Sequence, residues 1–162
     1  MNASPVVADC ELPEISRPVL QTIRQAGGNM AQIKPKRSLY ILFIDDDPQV
    51  REFMTVCLGQ FEHRVMVASG GRQGLEMFRA AIQESQPYEM VITDLGMPDI
   101  DGRLVARTIR AESPNTPIIM MTGWGLIMKE EGETIPDVDA VVNKPPRMRE
   151  LNDLLLRMAK PA

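Results

Sequence analysis

From Leu39 to Val142 the chain alternates short apolar runs with stretches whose apolar residues recur at helical spacing. The runs at 39–44, 64–68, 90–93, 117–121 and 139–142 predict five strands. Their near-continuous apolar character is that of strands covered on both faces. After the first run, Asp47 and Pro48 form an N-cap and first helical position, and Val50, Phe53, Met54 and Cys57 follow at i, i+3, i+4 and i+7. Leu151, Leu154, Leu155 and Met158 repeat that spacing near the end. Leu75, Phe78 and Ile82 mark a second helix, and Leu104, Val105 and Ile109 a third that begins after Asp101-Gly102. Strand-helix alternation of this kind predicts an α/β domain built on a parallel sheet. The stretch 124–136 predicts only a short or shifted helix, because Gly125, Gly132 and Pro136 interrupt it around Lys129-Glu130-Glu131. Residues 1–37, with Pro5, Pro13, Pro18, Gly27-Gly28 and Pro35, predict a mobile extension ahead of a domain over 38–162.

Composition narrows the class. A chain of 162 residues, 44% hydrophobic and 25% charged, suits one globular domain with a sizeable core. A net charge of -4 argues against a general nucleic-acid binder, since Lys34, Lys36 and Arg37 make only a short basic patch. Cys10 and Cys57 form no disulfide framework and no zinc ligand set. The N-terminal residues lack a basic segment followed by an apolar one, and no run approaches the ~20 apolar residues of a membrane span. The expectation is a soluble, cytoplasmic protein without membrane or nucleic-acid partners.

The chemistry lies where the strands end. Asp45 and Asp46 follow the first run, Asp94 the third, Thr122 the fourth and Lys144 the fifth. In an open parallel sheet the ligand crevice lies beyond the carboxyl ends of the strands, where strand order reverses, so these side chains are expected to converge. Two carboxylates about 4 Å apart repel by roughly 4 kcal/mol at an effective dielectric of ~20, so such a cluster calls for a cation. Mg2+ prefers oxygen ligands and binds one or two carboxylates while keeping waters, a set that Asp46, Asp94 and, through water, Asp45 supply. Gly96 offers its backbone carbonyl to the same ion. Asp94 is then a candidate nucleophile for a phosphoryl group, with Thr122 and Lys144 each taking one of its oxygens. Gly123, lacking a side chain, leaves room for a donor.

Asp45-Asp46, the stretch Thr93-Asp94-Leu95-Gly96-Met97-Pro98-Asp99-Ile100-Asp101-Gly102, Met121-Thr122-Gly123 and Lys144-Pro145 together resemble the receiver domain of two-component response regulators. The resemblance spans roughly Leu39 to Ala159. It implies a flavodoxin-like, doubly wound five-stranded sheet in the order 2-1-3-4-5. It also implies Asp94 as phosphoacceptor, Asp45, Asp46 and the Gly96 carbonyl as Mg2+ ligands, Thr122 as the switch hydroxyl, and a cis peptide before Pro145. The implied partners are a sensor histidine kinase or histidine phosphotransfer protein and a downstream protein target. The implied function is that of a phosphoacceptor switch rather than an enzyme, and because little more than the last helix follows Lys144 the expectation is a stand-alone receiver. Two residues depart from the family pattern: Val141 replaces an aromatic residue, and Pro146 replaces a Phe that anchors the last helix. Trp124 is the large aromatic nearest Thr122 in sequence and a candidate reporter in place of that ring.

Each residue also has a plainer reading. A single acid after a strand is usually a helix cap, the role assigned to Asp47, and Asp99 and Asp101 read as turn and cap residues. His63 reads as a surface or edge residue, and the methionines as core fillers. Two other functions are open to the same residues. A haloacid dehalogenase-type phosphatase would use Asp45-Asp46-Asp47 as its Asp-x-Asp motif, although Gln49 and the isolated Asp153 do not match its later positions. A receiver-like scaffold would keep the fold and never take a phosphoryl group.

Overall fold

The structure, a computed structural model, describes residues 37–123 and 135–159. Strands β1 (Tyr40–Ile44), β2 (Arg64–Ala68), β3 (Met90–Asp94), β4 (Ile118–Thr122) and β5 (Ala140–Asn143) pair in parallel in the order β2-β1-β3-β4-β5. Helices α1 (Pro48–Gly59), α2 (Gly71–Gln83), α3 (Gly102–Glu112) and α4 (Met148–Met158) connect or follow them. Strand order reverses between β1 and β3, which sets the carboxyl ends of those two strands side by side.

The two-residue period of the strands divides the core. Ile41, Phe43, Ile92, Ile119 and Met121 face α1 and α4, against Phe53, Met54, Leu151 and Leu155. Leu42, Ile44, Val91, Ile118 and Met120 face α2 and α3, against Leu75, Phe78, Val105 and Ile109. All of β3 and β4 is buried, whereas the edge strand β2 is largely open and β5 is mostly half-buried. Apolar runs without alternation are therefore what the interior strands require.

Asp47 caps α1, its carboxylate accepting from the Gln49 and Val50 amides, with Pro48 in the first turn. Asp101 caps α3 by accepting from the Leu104 amide, and Asp99 accepts from the Ile100 amide in the preceding turn. Three strands end one residue later than the apolar runs suggest: β3 includes Asp94, β4 includes Thr122 and β5 includes Asn143. Backbone pairing continues one residue into the polar positions. Residues 1–36, with Cys10, lie outside the described residues, as do 124–134, which hold Trp124 and most of the expected short helix.

The amino ends of the strands are closed by satisfied polar links. Arg110 on α3 donates to the carbonyls of Pro114, Thr116 and Asp137 and to the Asp139 carboxylate, which also accepts from the Ile118 amide. His63 is not the surface residue its sequence context suggests. It is buried, its Nδ1 accepting from the Leu39 amide at 3.2 Å and its Nε2 lying 2.9 Å from Asn152 Oδ1 of α4. An accepting Nδ1 fixes the neutral tautomer that donates from Nε2. Pro146, at the position of the expected Phe, is buried just before α4.

Burial pushes the His63 pKa below its ordinary 6.5, against smaller upward influences from Asn152 and Glu89. An unfolded chain takes up this proton first as pH falls, so the linked stability is complete above about pH 6.5 and declines below it. Urea melts from pH 7.5 to 5.5 are expected to show falling wild-type stability and a flatter profile for His63→Gln.

Candidate functional site

The site is built outward from β1 and β3. Asp45 lies one residue past β1, where its amide still pairs with the Ala68 carbonyl at 3.1 Å. Its side chain is fully buried; Oδ1 accepts from the Asp47 amide at 2.9 Å and Oδ2 from Lys144 Nζ at 2.6 Å. Asp94 ends β3 and is 7% exposed, its Oδ1 2.8 Å from the same Nζ. Asp46 is exposed, yet one carboxylate oxygen from each of Asp45, Asp46 and Asp94 falls within 4.8 Å of the others.

Lys144 reaches these acids from just past β5. Its amide donates to the Thr122 carbonyl at 3.0 Å, and the Lys144–Pro145 peptide is cis. Thr122 is buried at the end of β4, one residue beyond the Asp94–Met121 pair of the β3–β4 register. Gly96 and Gly123 stand exposed at the same rim with open space where a Cβ would project. The sequence-derived residues Asp45, Asp46, Asp94, Gly96, Thr122 and Lys144 thus occupy one edge of the sheet. Val141, at the expected aromatic position, is half-buried in β5 and paired with Met120.

Two neighbours of the site escape the sequence reading. Arg51 on α1 donates from Nη1 to the Asp45 carbonyl at 2.8 Å. Gly102 begins α3 hard against the strand end, its amide bonded to the Leu95 carbonyl. A Cβ there would lie 2.1 Å from the Asp94 carbonyl oxygen. Helical spacing flags neither residue, because Arg51 is one charge on a mixed helix face and Gly102 resembles an ordinary helix start.

Three carboxylates meet one ammonium, which leaves two negative charges uncompensated within the cluster. Burial raises the Asp45 pKa, with nearby Asp94 adding to it, and hydrogen bonds from Lys144 and the Asp47 amide offset this only in part. Burial would lower the Lys144 pKa, but hydrogen bonds to Asp45 and Asp94 outweigh it and the net shift is upward. Lys144 is therefore held as an ammonium, while Asp45 pays a desolvation cost that one ammonium does not cover. An all-oxygen donor set carrying that excess charge fits Mg2+. It does not offer the nitrogen and sulfur ligands of a structural zinc site.

The family model described as the response regulator receiver domain matches residues 41–156. The chain belongs to the response regulator receiver family. The Brucella abortus response regulator receiver protein CpdR is 25% identical over 118 residues, which are 73% of this chain and 94% of that protein. Response regulator protein PilR of Pseudomonas aeruginosa is 26% identical over 123 residues, 74% of this chain. The chain spans 26% of the length of PilR and 34% of that of the transcriptional regulatory protein AruR. Among solved structures, the Thermotoga maritima response regulator TrrA, in complex with Mg2+-BeF, aligns with a TM-score of 0.62 and 27% identity, covering 78% of this chain and 99% of that one. Vibrio cholerae chemotaxis protein CheY4 aligns with a TM-score of 0.63 and 25% identity, over 75% of this chain and 99% of that one. Phosphorylation and Mg2+ binding are general in receivers, which act as phosphoacceptor switches. No helix among the described residues is long and apolar enough to cross a membrane.

Two outcomes follow for this receiver. Mg2+ at about 100 times its Kd is expected to add about 2.7 kcal/mol of stability, read as a rise in Tm, and Asp46→Asn is expected to lose most of that rise. Gly102→Ala is expected to cost about 1–3 kcal/mol in denaturant melts, because the added methyl must displace the backbone that carries Asp94.

Proposed function

We propose that Asp94 accepts a phosphoryl group from a phosphohistidine donor, a sensor kinase or histidine phosphotransfer protein, in a Mg2+-dependent reaction that changes which protein this receiver binds. The observation that carries the reading is the Asp94 carboxylate beside Lys144 Nζ at 2.8 Å and within the reach of Asp45 and Asp46. An Asp94 oxygen attacks phosphorus as the P–N bond to the donor imidazole breaks, and the ring nitrogen keeps the electron pair. Lys144 stays protonated and supports the charge on one equatorial oxygen, while the Thr122 hydroxyl donates to another. Asp46, Asp94 and the Gly96 carbonyl are the proposed Mg2+ ligands, with Asp45 acting through water. When bound, the ion neutralises the carboxylates and the incoming phosphoryl oxygens. The cytoplasm, where receivers typically work, is the proposed compartment.

Asp45 suits a supporting role better than that of a phosphatase nucleophile. Both its carboxylate oxygens are already hydrogen-bonded, and the residue is fully buried. A scaffold that never takes a phosphoryl group could keep Lys144 as a tie between strand ends but gains nothing from the third, exposed carboxylate of Asp46 beside it.

Incubation with a small phosphodonor and Mg2+ is expected to give an acid-stable, base-labile acyl phosphate on the wild-type protein and none on Asp94→Asn. Lys144→Ala is expected to slow labelling about 10²-fold. Label that survives Asp94→Asn but vanishes in Asp45→Asn would support the phosphatase instead, and no label at all would support the scaffold.

A further inference from the structure

The turn from Asp45 to Asp47 is held by hydrogen bonds to β2, to the Asp45 carboxylate and to the start of α1. Asp45 N–H donates to Ala68, Asp47 N–H to Asp45 Oδ1, and Arg51 N–H to the Asp47 carbonyl. The Asp45 carbonyl is met differently, by the Arg51 guanidinium at 2.8 Å in a half-buried, charge-assisted hydrogen bond. The peptide unit between Asp45 and Asp46 is planar, so holding its oxygen also fixes the plane on which the Asp46 Cα sits and narrows the directions its side chain can take. Its direction matters because the exposed Asp46 carboxylate makes no hydrogen bond to the described residues yet sits in the acidic cluster.

We propose that Arg51 is a positioning residue for the divalent cation: by clamping the Asp45 carbonyl it aims Asp46 at the ion. This rests on the functional reading above. The guanidinium approaches from the backbone side and leaves the carboxylates to the metal. Its charge alone predicts the opposite effect, since a cation near the site repels a second one and its removal would tighten Mg2+ binding. The sign of the change therefore separates positioning from simple electrostatics.

Calorimetric titration of Mg2+ into the full chain at fixed ionic strength makes the test. Arg51→Ala is expected to raise the Mg2+ Kd about ten-fold, the usual scale for losing a group that orients a ligand. Arg51→Lys is expected to stay within about three-fold of wild type, because only one guanidinium nitrogen is used and an ammonium on a shorter stem supplies one donor. Arg110→Ala, which loosens the far edge of the sheet, is expected to lower Tm and leave the Mg2+ Kd unchanged. Should Arg51→Ala fail to fold, Arg51→Met, which keeps the packed stem and removes only the donors, carries the same expectation. An unchanged or lower Kd in Arg51→Ala or Arg51→Met would overturn the proposal, as would an equal rise in Arg110→Ala. Wild-type protein that binds no Mg2+ would overturn the functional reading itself, and that result appears before any variant is made.

Discussion

One ammonium group is shared by two carboxylates at the rim of the sheet, and a third carboxylate stands within reach. Lys144 bridges Asp45 and Asp94 at 2.6 and 2.8 Å, so the ends of β1, β3 and β5 are tied through a single side chain. The tie is incomplete in charge. A fully buried acid whose pKa is pushed up by burial costs folding free energy at neutral pH, because the fold favours the form that is not present. The rest of the molecule supplies the stability that lets this arrangement persist.

That support is concentrated away from the rim. The interior strands are buried on both faces, and the opposite edge is stitched by Arg110 and by the His63–Asn152 link, whose polar groups find partners. Near the site the fold uses short, stiff devices. Asp47 caps α1, Gly102 lets α3 press on the backbone of Asp94, and Arg51 holds the Asp45 carbonyl. Well-satisfied polar links at one end and excess negative charge at the other give the sheet a stable base and an acidic rim.

What the sequence makes legible follows from how local each signal is. Apolar runs locate all five strands to within a residue, most plainly the interior ones, which have no polar alternation. Asp47-Pro48 and Asp101-Gly102 are short-range caps and read correctly. The acids, Thr122 and Lys144 are legible as a group because parallel strands must all end at one edge. His63 is misread because its partner Asn152 is 89 residues away and invisible to periodicity. Gly102 and Arg51 act through close approach to backbone carbonyls, which spacing alone does not encode.

The central claim is that this acidic rim is completed by a divalent cation held among Asp45, Asp46 and Asp94. Crystals grown with Mn2+ in place of Mg2+ test it most directly, since anomalous scattering locates the ion without assumption. One peak between the Asp46 and Asp94 carboxylates, lost in Asp46→Asn crystals, is the result expected. An empty rim at saturating Mn2+, or a peak elsewhere on the molecule, would contradict it.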